Sequence, residues 1–455
     1  MIQNVSVIGL GKLGASMLAG MAHRGFNVIG VDIAESSVRA VNEGRAPVQE
    51  TGLEEMIAAH KDKIRATLSH EEAVLGSDIS FVIVPTPSDS RGAFELQYAR
   101  FAFELLGKAL AKKEGYHVIV LTSTVLPGAT RHGLLPVLEA ASGKKCGPDF
   151  GLCYSPEFIA LGSVIRDFLN PDFYLVGEFD KRSGDVLEEV NRGICMKEPV
   201  VRRMSIENAE VAKIALNSYV TMKISFANTL ADLCERIPGG DVDVVSDAIG
   251  SDTRVGRKYL TGGLGFAGPC FPRDNVALGF LCDQVGADAQ LLQTNHDYNK
   301  SLAPRIAAKL APMMRKGQTA AVLGLAYKPL SHVVEESQGV ALALAMADAG
   351  MRVISYDPLA TEGARAAFRG QVLLAESIPS TLADAALVVV TTPDAPFRAL
   401  KADDFVGTKE SVTVVDCWRC LDPSVQNDPR IRYIPLGRCL DEESSQVVLE
   451  KLWGN

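Results

Sequence analysis

The chain has 455 residues, too many for one ordinary hydrophobic core, and its length predicts two to three domains. A formal net charge of −9 and a pI near 5.4, with no dense Lys/Arg run, exclude a general attraction to phosphate backbones, so no nucleic-acid partner is expected. The apolar runs, such as 81–84 and 386–390, have the length of strands and not of a bilayer span, so neither a membrane helix nor a membrane partner is expected.

In chain order, Val5, Ser6, Val7 and Ile8 form a strand-like run that leads into Gly9-Leu10-Gly11-Lys12-Leu13-Gly14, then a helix-like stretch to Arg24. The next apolar run, 28–31, ends at Asp32, eighteen positions after Gly14. In such a unit Gly9 makes the tight turn, Gly11 lets the backbone reach a pyrophosphate, and Gly14 packs helix against strand, while Asp32 bonds the adenosine ribose. A free 2′-hydroxyl is implied. The predicted cofactor is therefore NAD rather than NADP, and Ile33, Ala34 and Glu35 supply no arginine for a 2′-phosphate. The opening segment lacks a basic leader and a cleavage pattern, so it reads as structure and not as a signal peptide. Nine cysteines without a regular framework fit a reducing, cytoplasmic compartment. Cys417 and Cys420 have metal-motif spacing but no second pair, and the seven histidines are scattered, so no metal site is expected.

Strand-like runs at 5–8, 28–31, 80–84, 117–122, 150–154 and 173–177 alternate with helix-like segments, which argues a parallel sheet with helices on both faces. From 205 to 235 the pattern changes: Val211, Ile214, Ala215, Ile224, Phe226, Leu230 and Leu233 recur at near-helical spacing, and no proline intervenes before Pro238. One long helix is expected there, with more helix over 241–250 and 274–313. Strands resume at 319–325, 352–356, 386–391 and 412–416. This second α/β region lacks the three-glycine turn, so it either holds a mononucleotide moiety or is purely structural. No internal repeat is evident. The expected fold is α/β, two Rossmann-like doubly wound domains joined by a long central helix and an all-helical middle.

Residues 263–274, Gly-Leu-Gly-Phe-Ala-Gly-Pro-Cys-Phe-Pro-Arg-Asp, place Cys270 on a glycine-dense loop ahead of Asp274. Glycines at 263, 265 and 268 present no side chain to a docking substrate, and Arg273 favours the thiolate, so Cys270 reads as a nucleophile. Taken alone, the loop is equally compatible with a buried cysteine in a glycine-rich turn. Lys213 and Asn217 lie four apart on the expected long helix and so share a face, a spacing suited to an oxyanion clamp.

Taken together, the N-terminal turn, Ser155-Pro156-Glu157-Phe158, Lys213 with Asn217, the Cys270 loop and Gly324-Leu325-Ala326-Tyr327-Lys328-Pro329 resemble the nucleotide-sugar 6-dehydrogenases of the UDP-glucose/GDP-mannose dehydrogenase family. The motifs follow in order over nearly the whole chain, and the segment after Cys270 is most similar to the UDP-glucose branch. The resemblance implies four-electron oxidation of the sugar C6 alcohol to a carboxylate by two NAD+, through a Cys270 thiohemiacetal and thioester. It assigns Lys213 and Asn217 to the oxyanion, Glu157 to hydrolysis, Asp274 to its support and Thr124 to the catalytic water. Cofactor contacts are implied at Gly9, Gly11, Lys12, Leu13, Gly14, Asp32, Pro85, Thr86 and Thr124. Substrate contacts are implied at Phe158, Lys213, Asn217, Arg254, Tyr259, Gly265, Phe266, Gly268, Phe271 and Lys328, with Arg254 reaching across from a second subunit. The implied domains are an NAD-binding domain at 1–200, a helical dimerisation domain at 201–312 and a nucleotide-sugar (UDP) binding domain at 313–455. A homodimer or higher homo-oligomer is implied, acting on a nucleotide sugar.

The chain departs from the family pattern in five places. Leu161 and Phe173 replace an acid and an arginine, Pro269 precedes the cysteine, Glu335 replaces an arginine, and Trp418 stands where a basic substrate contact is usual. The competing readings are a dehydrogenase of GDP-mannose or a UDP-N-acetylhexosamine, a hydroxyacid dehydrogenase of similar architecture, and a regulator that binds NAD and a nucleotide sugar without efficient turnover.

Overall fold

The computed structural model describes residues 2–159 and 162–454. It divides into two compact units, Met1–Leu216 with Phe280–Val285, and Asn217–Gly279 with Gly286–Asn455. Leu161 lies outside the described residues.

The first unit is built on eight strands: β1 (Asn4–Ile8), β2 (Asn27–Val31), β3 (Ile64–Thr67), β4 (Ile79–Val82), β5 (Val118–Leu121), β6 (Gly151–Tyr154), β7 (Tyr174–Glu178) and β8 (Val201–Ser205). Their order is β3-β2-β1-β4-β5-β6-β7-β8. The inner strands β4, β5 and β6 are buried along their whole length, which is why they read as unbroken apolar runs and not as alternation. Successive residues feed opposite layers. Val118 and Val120 of β5 join one core cluster, Ile119 and Leu121 the other, and helices such as Lys12–His23 and Gln97–Lys112 cover the two faces. Each such side chain contributes on the order of 1.5–3 kcal/mol by leaving water.

Two strands escape the apolar-run criterion. β3 is Ile-Arg-Ala-Thr and β8 is Val-Arg-Arg-Met-Ser, and both form sheet edges. Arg203 of β8 is tied to Glu178, Asp185 and Glu188, so the edge is charged where a core strand would be apolar. The sheet is also not wholly parallel as expected. β7 runs antiparallel to β6, because the chain turns back through Val164–Leu169 instead of completing a crossover; β8 then returns parallel to β7.

The second unit carries six parallel strands in the order β11-β10-β9-β12-β13-β14. They are β9 (Thr319–Leu323), β10 (Arg352–Tyr356), β11 (Leu373–Leu374), β12 (Ala385–Val390), β13 (Val412–Asp416) and β14 (Ile431–Pro435). Its core has two layers as well, with Ala320 and Val322 on one face and Ala321 and Leu323 on the other.

Contrary to the expectation of no repeat, the first six strands of each sheet share one order. Gly324 (φ +109°) follows β9 as Gly9 (φ +101°) follows β1. A Cβ on Gly339 would lie 2.2 Å from the Gly324 carbonyl oxygen, and one on Gly14 would lie 1.8 Å from that of Gly9. The fourteen residues between Gly324 and Gly339, against four between Gly9 and Gly14, hide the correspondence in the sequence.

The helices of the middle region are Ile206–Cys234, Val242–Gly250, Phe271–Val285 and Gln290–Leu310. The helix expected over 274–313 falls into two segments that part at Gly286, whose φ of +73° belongs to the left-handed region that ends helices.

Candidate active site

In the first unit the glycine turn has the shape a dinucleotide needs. Added Cβ atoms would strike backbone at Gly9 (2.0 Å from the Ile83 carbonyl oxygen) and at Gly14, whereas at Gly11 nothing lies within 4 Å. Gly9 and Gly14 are thus glycines for packing, and Gly11 leaves open space at the start of helix Lys12–His23, where a pyrophosphate would fit. Lys12 and Leu13 are partly buried in its first turn. Asp32, at the end of β2, accepts the Leu10 N–H at 2.7 Å and the Ala34 N–H at 2.8 Å, which fixes its carboxylate beside the turn with acceptor capacity left for a ribose. The residues fit NAD.

The ends of β4 and β5 are stitched together next to this turn. Thr86 donates its hydroxyl to the Thr124 carbonyl at 2.8 Å, and Ser123 bonds both the N–H and C=O of Val84. Pro85 is exposed and Thr124 partly buried. The loop after Thr124 is held from the long helix Ile206–Cys234. Glu210, fully buried, accepts the Gly128 N–H at 2.6 Å and the Thr130 N–H at 2.9 Å. Burial raises the Glu210 carboxyl above its usual range, and the two amides oppose that shift. The sequence reading missed Glu210; its signal was a carboxylate one turn before Lys213 on the same helix.

Lys213, only 7% exposed, donates to the Glu157 carbonyl oxygen at 2.5 Å, and its ammonium stands 4.4 Å from the centre of the Phe158 ring. The Phe158 ring packs on that of Phe173 at 4.9 Å. Burial pushes the Glu157 carboxyl up to about 8, against the opposing charge of Lys213. Phe173 therefore joins an aromatic contact where the family pattern has an arginine.

In the second unit Cys270 is exposed, which rules out the buried-cysteine reading. It stands immediately before helix Phe271–Val285, and its carbonyl accepts the Asp274 N–H at 2.8 Å. A helix N-terminus favours a thiolate over a thiol. Asp274, 2% exposed, accepts from the Asn217 side-chain amide at 2.6 Å. Arg273 approaches Asp274 at 3.9 Å, so its charge is shared with that carboxylate and not devoted to the thiol alone.

The loop glycines meet a packing demand that the sequence did not reveal. Their Cβ directions point into protein: Gly263 faces Cys417 and the Trp418 ring, Gly265 faces Asn299, and Gly268 (φ +84°) faces the Tyr327 ring at 2.5 Å. Packing alone therefore requires glycine at these three positions, because the loop is clamped flat against those side chains. Two buried asparagines complete the clamp. Asn228 bonds Gly263 N–H and the Leu264 carbonyl, and Asn299 bonds both the N–H and the carbonyl of Phe266. Both asparagines went unnoticed in the sequence, although Asn228 lies three turns beyond Asn217 on one helix. Phe266 itself is buried.

The remaining residues group less tightly. Tyr259 (φ +64°) meets Phe271 edge-on at 6.0 Å, and Lys328 lies 5.6 Å over the Tyr327 ring. Burial, then the neighbouring Cys270, pushes the Tyr327 phenol up to about 12. Arg254 is not drawn into this group; its side chain is 86% exposed and pairs with Asp252 at 2.6 Å. Trp418 donates its indole N–H to the Thr391 carbonyl at 2.8 Å, while Arg419, with 1% of its side chain exposed, is locked onto Asp243. Glu335 is exposed. Pro269 brings no N–H to the residue before the nucleophile.

Three family models match the chain in order. They are the NAD binding domain (residues 3–194), the central domain (207–301) and the UDP binding domain (321–423) of the UDP-glucose/GDP-mannose dehydrogenase family. The UDP-glucose 6-dehydrogenase AglM of Haloferax volcanii is 36% identical over 414 residues, covering 90% of this chain and 95% of that protein. A GDP-mannose 6-dehydrogenase of Pseudomonas syringae pv. tomato is 31% identical over 443 residues, covering 91% of this chain and 100% of that protein. The solved UDP-glucose dehydrogenase of Pyrobaculum islandicum superposes with a TM-score of 0.85 at 31% identity, covering 96% of this chain and 98% of that one. The chain therefore belongs to the UDP-glucose/GDP-mannose dehydrogenase family of NAD-dependent nucleotide-sugar dehydrogenases.

Proposed function

We propose that the protein oxidises the C6 alcohol of UDP-glucose to the carboxylate of UDP-glucuronate, with Cys270 as the covalent nucleophile. The observation that carries this reading is an exposed cysteine at the start of a helix, one turn before a buried aspartate that is hydrogen-bonded to Asn217. UDP-glucose is favoured over GDP-mannose by the higher identity of AglM and by Phe271-Pro272-Arg273-Asp274 after the cysteine.

NAD, when bound, would accept one hydride from C6 in each of two oxidations, the first of which also releases the C6 hydroxyl proton to solvent. The Cys270 sulfur adds to the C6 aldehyde to give a thiohemiacetal, and loss of the second hydride leaves a thioester. Lys213 and the Asn217 amide stabilise the oxygen anion at C6 in both tetrahedral species. Glu157 takes a proton from water, assisted by Thr124, and the water oxygen replaces sulfur at the acyl carbon. Cys270 leaves as thiolate, with Asp274 holding Asn217 in place. For each sugar, one water is consumed and two NADH form. The glycine turn and Asp32 hold the cofactor, and we assign residues 313–455 to the UDP moiety.

We further propose a homodimer through the long helix. Tyr219, Phe226 and Leu233 are each more than half exposed and recur every seven residues, the spacing of a helix seam. Among the described residues no helix is long and apolar enough to cross a membrane.

The test is the NADH formed per sugar nucleotide consumed, across UDP-glucose, GDP-mannose and UDP-N-acetylhexosamines. About two NADH with a uronic acid product, abolished by Cys270→Ser, is expected. One NADH, or turnover that survives Cys270→Ser, removes the thioester route; a different preferred sugar moves the substrate assignment to that sugar.

A further inference from the structure

We propose that Phe158 and Phe173 form an aromatic seat for the Lys213 ammonium, which makes Phe173 a positioning residue for the reaction. The inference rests on the proposed role of Lys213 at the oxyanion and extends it to a residue to which no substrate contact has been assigned.

Lys213 is almost fully buried, and a buried ammonium must be compensated by polar or π contacts. The Glu157 carbonyl takes one of its three N–H donors at 2.5 Å, and the Phe158 face lies 4.4 Å from the nitrogen. Phe158 sits on the segment that follows β6, outside regular secondary structure, so its ring needs external support. Phe173 supplies it, with ring centres 4.9 Å apart and planes at 37°. Phe173 immediately precedes β7, whose first four residues are buried, so the support is anchored to the sheet. A ring face has a second property that matters here. It attracts an ammonium without neutralising it, so the positive charge stays available to an oxygen that becomes negative during the reaction.

The test uses the purified full chain with its sugar nucleotide and NAD+, measuring kcat and KM separately together with the thermal midpoint. Phe173→Leu keeps an apolar side chain and removes the ring; kcat is expected to fall about threefold with KM unchanged, and Phe158→Leu to lower kcat about tenfold. Phe158→Tyr and Phe173→Tyr retain the π face and are expected to restore kcat to within twofold. If the leucine variants stay within twofold of the parent in kcat, or if tyrosine rescues neither, the seat is refuted. Should Phe173→Leu not fold, Phe173→Met is judged by the same criteria. Lys213→Met separates the two levels: acid formation that survives it overturns the role of Lys213 itself. If Lys213→Met abolishes acid formation while the leucine variants keep their kcat, only the seat falls.

Discussion

Glu210→Ala should be among the most damaging substitutions in the first unit although the residue touches no proposed reactant. Its carboxylate accepts two backbone N–H groups, from Gly128 and Thr130, inside a fully buried environment. Removing it leaves both donors without their acceptor, at about 1–3 kcal/mol each. Burial already disfavours the charged carboxylate, as its raised pKa records, and relief of that cost offsets part of the loss. The expected net destabilisation is therefore about 2–4 kcal/mol, a large share of the ~5–15 kcal/mol that keeps a protein folded. Glu210→Gln retains one acceptor oxygen, so it should cost about half as much. Urea denaturation followed by circular dichroism gives both values, and NAD+ titration of the folded variants reports whether the Thr124 loop has moved. A shift below ~0.5 kcal/mol for Glu210→Ala, or equal costs for alanine and glutamine, would refute the argument, since the amides would then have other partners.

Three further outcomes follow from the same geometry. The Glu157 carboxyl, at about 8 in the folded protein against about 4.3 unfolded, holds an extra proton in the folded state between those values, so its contribution to stability declines as pH rises through that window. Thioester hydrolysis needs the carboxylate, so single-turnover acid release should rise through pH about 8, and Glu157→Gln should flatten that limb; an unchanged profile excludes Glu157 as the base. Asp32→Ala removes the acceptor that fixes the turn and meets the ribose, so kcat/KM should fall about tenfold or more with NAD+ and less with NADP+; a uniform loss on both cofactors would deny Asp32 its discriminating role. Phe226→Asp places a charge in the exposed apolar seam of the long helix, and light scattering after size exclusion should report a monomer; an unchanged dimer mass means that the seam lies elsewhere.

Much of the first unit was legible because its signals are local. Gly9 to Asp32 is one strand–turn–helix–strand segment, and Val118 to Leu121 reads as a buried strand from composition alone. The long helix was equally plain, from 205–235 expected to Ile206–Cys234 observed. What stayed hidden depends on partners distant in the chain. β3 and β8 carry arginines because they are edges, and edge status is a property of the sheet and not of four or five residues. The packing demand on the glycines at 263, 265 and 268 was not legible, since the side chains that press on them, from Asn299, Tyr327 and Trp418, come from far along the chain. Glu210 and Asn228 satisfy backbone groups of loops, and a loop's unpaired amides cannot be counted before its path is known.

Asp357, at the end of the second unit's strand β10, occupies the position that Asp32 occupies after β2. Its two carboxylate oxygens accept the N–H groups of Leu325, Ala326, Leu359 and Ala360, and it is 2% exposed. Asp32 accepts from Leu10 and Ala34 and remains partly exposed. The same acid on the same scaffold thus keeps acceptor capacity in one half of the chain and is a rivet in the other. Opening the second turn to a dinucleotide would require freeing a carboxylate that its own loop already saturates, so the two halves of this enzyme cannot drift into competing for one cofactor.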